Sequence, residues 1–187
     1  MAEAIASLPL ELLPLTAEPF PLPDGQIVGV LKAFPTFSRC EKPALFDDFG
    51  GKPVLKHAGT PCFAELLIQR LFVAAGWSAR WVETYGAPAM KPRFLTNWDS
   101  QGLRAQINVP IADPTVRNLL ESVAHTNGGT YSGCWDVVAW TGERIFFAEA
   151  KRKAHDHLRS TQHRWVAAAM KVGIPAESFV IVEWSLA

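Results

Sequence analysis

Three ionisable residues in the C-terminal third have the types and spacing of a hydrolytic metal site: Asp136, Glu149 and Lys151. Side chains alternate along a β-strand, so Glu149 and Lys151 would point to the same face of one strand. If Thr141 and Arg144 flank a two-residue hairpin turn, Asp136 falls directly opposite Glu149 on the neighbouring strand. The pattern therefore predicts two facing carboxylates with an ammonium group one pleat away.

A divalent cation would remove the electrostatic cost of such a pair of carboxylates. Directly opposed like charges destabilise a sheet, and the cost rises where the strand is otherwise apolar. Carboxylate oxygens suit Mg²⁺ or Mn²⁺ better than zinc, and an ammonium group beside them can hold or activate a water for phosphodiester hydrolysis. In the competing interpretation, Asp136 caps a turn while Glu149 and Lys151 form a surface ion pair. A turn changed by one residue would move Asp136 to the other face.

The residues around and after this motif carry a local excess of positive charge. Residues 144–171 contain seven Lys or Arg and two Asp or Glu, although the whole chain is neutral. This asymmetry indicates either an anion-binding face or a solvated helix face. Arg152, Lys153, Arg159 and Arg164 are the candidates for contacts with nucleic-acid phosphates, and such contacts carry no sequence specificity.

Gln162 and three histidines are the other polar residues of chemical interest in this segment. Gln162 lies within the apolar stripe of a predicted helix over 155–172, so it needs a polar partner, either a site residue or nearby backbone. His155 and His157 are two residues apart and would not share a helix face. For these two residues and His163, zinc binding is a weaker alternative than phosphate contact or solvent exposure.

Apolar periodicity and turn residues predict the elements that must position these side chains. The first half of the chain has a strand-like run over 26–34, a helix over 60–75 with Thr60 as N-cap, and a strand over 77–85 stopped by 86–88. A helix over 113–125, capped by Asp113, follows. The remaining elements are strands over 135–140 and 144–151 joined by a turn at 141–143, a helix over 155–172 and a strand over 178–184. This mixture predicts an α/β fold with a mixed sheet flanked by helices. Residues 1–57 are assigned to an N-terminal extension or extra layer. Residues 58–187 form one domain with an insert at about 86–130 after its first core strand.

Composition excludes several other classes of protein. Hydrophobic residues make up 49% and charged residues 19% of the chain, which excludes a largely disordered protein. The three cysteines, Cys40, Cys62 and Cys134, lack the paired spacing of a disulfide framework or a zinc ribbon. The N-terminus has no basic segment of a signal peptide, and no apolar run approaches the ~18 residues of a membrane span. We therefore expect a cytoplasmic protein with no membrane partner.

Four short segments together resemble the VRR-NUC branch of the PD-(D/E)xK nucleases. The segments are Gly133-Cys-Trp-Asp136, Phe147-Ala-Glu149-Ala-Lys151, Leu158-Arg-Ser-Thr-Gln162-His-Arg-Trp165 and Gly173-Ile174. The resemblance extends over residues 60–184 and is dense from 128 to 174. It implies a restriction-endonuclease-like αβββαβ core and Mg²⁺- or Mn²⁺-dependent cleavage of DNA, often branched or flapped DNA. The chain departs from the family at Trp135, where the family has proline, and in the length of its insert.

The resemblance also implies a role for each matched residue. The implied metal ligands are Asp136, Glu149, the backbone carbonyl of Ala150 and Glu65. Lys151 would position the nucleophilic water. Glu65, on the first helix, would match the acid that such nucleases often place near the metals. Gln162 would match the glutamine that follows the last site strand.

The sequence therefore predicts a metal-dependent nuclease that hydrolyses DNA phosphodiester bonds, with flaps or junctions as candidate substrates. The alternative is a catalytically silent nucleic-acid-binding module on the same fold, and a third interpretation is a structural or interaction protein. The nuclease predicts metal-dependent cleavage of DNA. The silent module predicts DNA binding without cleavage, and the structural or interaction protein predicts no salt-sensitive DNA binding. Junction resolution would require two active sites and hence a homodimer. The sequence leaves open monomer or homodimer, DNA or RNA, and endonuclease or exonuclease.

Overall fold

The computed structural model describes residues 8–41, 51–85, 91–142 and 144–187. Its helices are α1 (Ala64–Ala74), α2 (Pro114–Thr126) and α3 (Ser160–Lys171). Its strands are β1 (Thr16–Pro21), β2 (Ile27–Ala33), β3 (Thr36–Phe37), β4 (Leu55–His57), β5 (Thr60–Cys62), β6 (Ser78–Glu83), β7 (Arg93–Leu95), β8 (Val137–Thr141), β9 (Arg144–Arg152) and β10 (Phe179–Leu186). None of the helices in the described ranges has the length and apolar character needed to cross a membrane.

Eight of the strands form one mixed β-sheet in the order β1-β2-β10-β9-β8-β6-β7, and β3 also pairs with β10. β10 runs parallel to β2, β3 and β9. The pairs β1–β2, β8–β9, β6–β8 and β6–β7 are antiparallel. β4 and β5 form a separate hairpin. The predicted α/β class with a mixed sheet flanked by helices is thus confirmed.

The sheet separates two apolar layers. α1 packs on one face through residues such as Leu66 and Phe72, and α2 and α3 pack on the other face, where Trp165 is central. Successive residues of β8 alternate between the layers: Val137 belongs to the α1 layer and Val138 to the α2–α3 layer. Helices on both faces explain why the central strands are apolar along their whole length.

Strands from the predicted N-terminal extension belong to the main sheet. β2 pairs with β10 in parallel, with Leu31 opposite Val180, and β1 covers the other side of β2 as the edge strand. β10 is apolar on both faces, so an open β10 edge would favour pairing with other chains. Within residues 8–41, the extension therefore completes the sheet. Residues 1–7 and 42–50 lie outside the described residues.

The predicted insert over 86–130 supplies an edge strand and a helix. β7 pairs with β6, and α2 packs against α3. Asp113 caps α2 as predicted, because its Oδ1 accepts hydrogen bonds from the backbone N–H groups of Thr115 (2.9 Å) and Val116 (3.2 Å). The strand stop predicted at 86–88 lies outside the described residues.

The helix predicted from Thr60 begins later, and the assignment of Thr60 as its N-cap is wrong. Residues 60–62 form β5, which pairs with β4, and α1 starts at Ala64. Ala58 and Gly59 join the two strands with positive φ angles of 48° and 81°, as a type I′ hairpin turn requires. The hairpin thus overrides the capping signal of the Thr-Pro pair.

The predicted helix over 155–172 is also too long at its start, since α3 begins at Ser160. β9 continues to Arg152, and the connecting loop turns at Ala154, which has a φ of 60°. Asp156 Oδ2 accepts a hydrogen bond from the Arg152 N–H at 2.8 Å. This local side-chain bond offers the backbone an alternative to the helix, so the loop replaces the predicted first turn.

Candidate active site

The β8–β9 hairpin has the register predicted from its turn. Its strand pairs continue from the turn to Val137 opposite Ala148. The next opposed positions are those of Asp136 and Glu149, so the predicted juxtaposition is present. Glu143, part of the predicted turn, lies outside the described residues.

Backbone N–H groups hold the carboxylates of Asp136 and Glu149 in place. The Ala150 N–H donates to Asp136 Oδ2 at 3.0 Å, and the Asp136 N–H donates to Glu149 Oε2 at 3.2 Å. Glu149 is only 2% exposed, whereas Asp136 as a residue is half-buried. The two carboxylates are therefore fixed beside each other where β8 begins.

Glu149 also receives hydrogen bonds from two side chains that follow it in the chain. Lys151 Nζ lies 2.8 Å from Glu149 Oε1, and the side-chain amide of Gln162 donates to the same oxygen. Gln162 Oε1 accepts from the Arg159 N–H at 2.8 Å, which caps the start of α3. Gln162 thus has both of the polar partners considered for it, the site residue Glu149 and the nearby backbone of Arg159. These contacts orient Glu149 and bring an ammonium group to the site.

A glycine lets the loop before Asp136 approach the first turn of α3. Gly133 has a φ of 82°, and a Cβ built on it would lie 2.1 Å from the carbonyl oxygen of Thr161. The obstacle is backbone, so no side-chain rotation can relieve it. Gly133 therefore permits the close packing that brings Asp136 and Gln162 to the same site.

Gly133→Ala is expected to destabilise the protein by about 2–4 kcal/mol, because a left-handed backbone and a backbone clash act together. Gly128→Ala is the matched control: Gly128 has a φ of 80°, but a Cβ there would meet nothing within 4 Å. The control should lose only about 1 kcal/mol. Urea denaturation gives both free energies of unfolding, and equal losses would contradict the close approach to α3.

Two residues reach the site from the α1 side of the sheet. Glu65, in the first turn of α1, is 5% exposed, and its Oε1 forms an ion pair with the ammonium group of Lys52. Glu65 Oε2 is buried and has no hydrogen-bond partner among the described residues. Lys52 Nζ also lies 5.8 Å from the ring centroid of Trp81. A buried carboxylate oxygen without a partner is unusual and marks a position that favours a cation or a donor.

Glu83, at the end of β6, is a further acid of the site that sequence reasoning did not identify. The Val82 N–H donates to the Asp136 carbonyl at 2.7 Å, which places the end of β6 beside the start of β8. Glu83 is 5% exposed, and its carboxylate accepts a hydrogen bond from the Tyr85 N–H. We call four residues the acid cluster: Glu65, Glu83, Asp136 and Glu149.

Burial and mutual repulsion disfavour negative charge in the acid cluster. Burial raises the pKa of Asp136 well above its ordinary value, and the charges of Glu149 and Glu65 raise it further. Burial also raises the pKa of Glu149, against the opposing effect of the Lys151 ammonium group. Burial raises the pKa of Glu83 to about 7. Such shifts are common at functional sites, and a bound cation would reverse them.

The free energy of unfolding of the metal-free protein is expected to fall as the pH rises from about 4.5 to 7. In this range the folded protein keeps a proton on Glu83 that the unfolded chain has released, because the ordinary pKa is 4.5 and the folded pKa is about 7. The stabilisation from this proton is complete at pH values below the pKa of Glu83 in the unfolded chain. It is lost as the pH rises through the pKa of Glu83 in the folded protein. The loss from this residue is about 2–3 kcal/mol.

Urea denaturation at pH 5 and pH 8 measures this loss. Glu83→Gln keeps an acceptor for the Tyr85 N–H but cannot titrate, so its stability should decrease less between the two pH values than that of the wild type. An equal decrease in both proteins would contradict the environment assigned to Glu83.

The donors at the site fit Mg²⁺ or Mn²⁺ in their chemistry. The oxygens in question are those of Asp136, Glu149, Glu65 and the backbone carbonyl of Ala150. Among the residues that the structure describes, no three His, Cys, Asp or Glu side chains form a group arranged to hold a metal ion. Mg²⁺ often takes only one or two carboxylates and completes its shell with water and substrate oxygens, a requirement that Asp136 and Glu149 meet. Glu65 Oε2, which is buried without a partner among the described residues, favours a cation or a donor at its own position.

The candidate phosphate-binding residues lie at the end of β9, on the loop after it and at the start of α3. They are Arg152, which is half-buried, and the exposed Lys153, Arg159 and Arg164. His155 and His157 are exposed on the loop before α3. His163 instead stacks on Phe20 with ring centroids 4.2 Å apart, and its Nδ1 lies 2.7 Å from the Pro21 carbonyl oxygen. The zinc alternative gains no support from these contacts.

Comparisons of the chain with protein-family models, with curated proteins and with solved structures found no match. The resemblance to the VRR-NUC nucleases therefore rests on the short motifs themselves. The case for a function rests on the chemistry of the acid cluster and of the residues that contact it.

Proposed function

We propose that this protein is a metal-dependent nuclease that hydrolyses DNA phosphodiester bonds. The observation that carries the proposal is the pairing of Asp136 with Glu149 at the β8–β9 hairpin, with Lys151 Nζ 2.8 Å from Glu149 Oε1. The element order α1-β6-β8-β9-α3-β10 supports a restriction-endonuclease-like αβββαβ core, with β7 and α2 as an insertion between β6 and β8.

The chain's own residues have distinct tasks in this reaction. Asp136, Glu149 and the carbonyl of Ala150 would hold the cation, with Glu65 beside them. When bound, Mg²⁺ or Mn²⁺ supplies positive charge that stabilises the charge developing on the phosphate oxygens. Lys151 positions the attacking water through its ammonium group, which is directed to the site by its hydrogen bond to Glu149. Gln162 keeps Glu149 oriented, so it acts as a positioning residue.

The four basic residues predicted to contact phosphates support a nucleic-acid substrate. Arg152 ends β9 and Lys153 follows it, whereas Arg159 is the N-cap of α3 and Arg164 lies on that helix. Contacts from these residues to phosphates would be independent of sequence and sensitive to salt. A structure-specific substrate, such as a flap or a junction, is the form that the family resemblance implies.

A cleavage assay on flap, junction and linear DNA tests the proposal. We expect cleavage with Mg²⁺ or Mn²⁺ and none with EDTA, and an Asp136→Asn preparation controls for contaminating nucleases. DNA binding that is indifferent to metal, without cleavage of any of the three substrates, would favour the catalytically silent binding module. Absence of salt-sensitive DNA binding would favour a structural or interaction protein.

A further inference from the structure

Lys52 places a positive charge among the members of the acid cluster. Its ammonium group is ion-paired with Glu65, whose second carboxylate oxygen is buried and has no partner among the described residues. Burial works to lower the pKa of Lys52, but the carboxylates of Glu65, Asp136 and Glu83 raise it overall. Lys52 therefore stabilises the negative charges that a divalent cation would otherwise stabilise.

The position of Lys52 in the fold allows its ammonium group to move away from Glu65. The residue precedes β4 in a segment without regular secondary structure, and 40% of its side-chain surface is exposed. The backbone after it is anchored, because Val54 and Leu55 are buried in the α1 layer. A lysine side chain has a flexible four-carbon stem, so the charge can move into solvent while the backbone stays in place.

We propose that Lys52 is a tethered counter-cation, which neutralises the acid cluster in the metal-free protein and gives way when a divalent cation binds. This inference rests on the metal site of the proposed function. An ammonium group and a divalent cation would repel each other strongly if both stayed among the same buried carboxylates. Lys52 thus weakens metal binding and sets the metal concentration at which the site becomes occupied.

Isothermal titration of Mn²⁺ into the metal-free protein at pH 8 tests this role without any DNA. Lys52→Met removes the charge but keeps the length of the side chain, and it should lower the Kd for Mn²⁺ by at least ~10-fold. Lys52→Arg keeps the charge and should bind Mn²⁺ as weakly as the wild type. Lys56→Met, an exposed lysine on β4, is the matched control and should leave the Kd unchanged.

A second readout follows the metal-free protein. Without Mn²⁺, Lys52→Met should lower the Tm at pH 8 by at least ~2 °C, because the acid cluster loses its counter-charge.

Mn²⁺ affinity that is unchanged or weaker in Lys52→Met would overturn the proposal, even if the wild type binds Mn²⁺ and cleaves DNA. Tighter Mn²⁺ binding without any cleavage would keep this inference and reject the nuclease. Failure of both proteins to bind Mn²⁺ would reject the metal site and the counter-cation together.

Discussion

Replacing Asp136 by asparagine is expected to stabilise the metal-free protein at pH 8 and to remove its response to Mn²⁺. Asparagine keeps an oxygen that accepts from the Ala150 N–H, but it removes a buried negative charge beside Glu149. The gain in the free energy of unfolding should be about 1–2 kcal/mol at pH 8. It should shrink as the pH falls, since the raised pKa of Asp136 leaves the wild-type acid protonated in the folded state.

The response to Mn²⁺ should be larger than this gain in stability. At a Mn²⁺ concentration about 100-fold above the Kd, the wild type should gain about 3 kcal/mol of stability, and Asp136→Asn should gain less than about 1 kcal/mol. Asp156→Asn is the matched control, because Asp156 also accepts a backbone N–H but is exposed outside the acid cluster. Equal stabilisation of wild type and Asp136→Asn by Mn²⁺ would remove Asp136 from the metal site.

Lys151→Met should lower the rate of DNA cleavage by about 10²- to 10⁴-fold while leaving the Kd for Mn²⁺ within a few-fold of the wild type. The ammonium group of Lys151 contacts Glu149 Oε1 at 2.8 Å, and only 11% of the Lys151 side chain is exposed, so the side chain is directed into the site. Its loss removes the group that positions the water, whereas the carboxylates that hold the cation remain. A large loss of rate with a small change in metal affinity is the signature of this division of tasks.

Lys153→Met is the control for this experiment. Lys153 is two residues further along the chain and exposed, so its loss should weaken DNA binding and reduce its salt dependence without a comparable loss of rate at saturating DNA. Circular dichroism confirms that both variants fold. Cleavage that survives Lys151→Met unchanged would contradict the proposed mechanism, whatever the metal dependence of the wild type.

The hairpin at the centre of the site was predictable because its determinants are local. The turn fixes the register, and the register places Asp136 opposite Glu149. Gln162 was predictable in the same way, because helical spacing places it in an apolar stripe where it needs a partner. In both cases the relevant residues are close in sequence, so a period or a pairing rule is enough.

Helix boundaries were less predictable because several local signals compete at them. The pair Thr60 and Pro61 has the composition of a helix start, yet the residues before it form a tight turn in which Ala58 has a positive φ. Asp156 likewise favours a loop by accepting the Arg152 N–H. Neither competitor is evident from apolar periodicity, because each depends on a backbone conformation and not on the spacing of apolar residues.

Lys52 and Glu83 were missed because tertiary structure alone brings them to the site. Glu83 follows Trp81 by one strand period, so a glutamate on a buried face was the signal available in the sequence. Lys52 lies in a Pro- and Gly-rich stretch and offers no comparable signal. The pairing of β2 with β10 was equally inaccessible, because it joins the two ends of the described chain.

The negative charges of the acid cluster lower the stability of the folded protein, whereas the proposed function requires them. The raised pKa values of Asp136, Glu149 and Glu83 mean that the folded protein is least favoured where all three are ionised. A core chosen for stability alone would replace these carboxylates with apolar or neutral groups. A site that binds a cation would instead need these carboxylates, which lie around Lys52 and beside Lys151.

The most direct measurement is the anomalous scattering of Mn²⁺ in crystals of the protein soaked with this metal. The proposed site predicts a peak between the carboxylates of Asp136 and Glu149, within ligand distance of the Ala150 carbonyl oxygen, and the ammonium group of Lys52 displaced from Glu65. Crystals at pH 8 with Mn²⁺ well above the measured Kd that show no peak at these carboxylates, or a peak only elsewhere, would contradict the metal site.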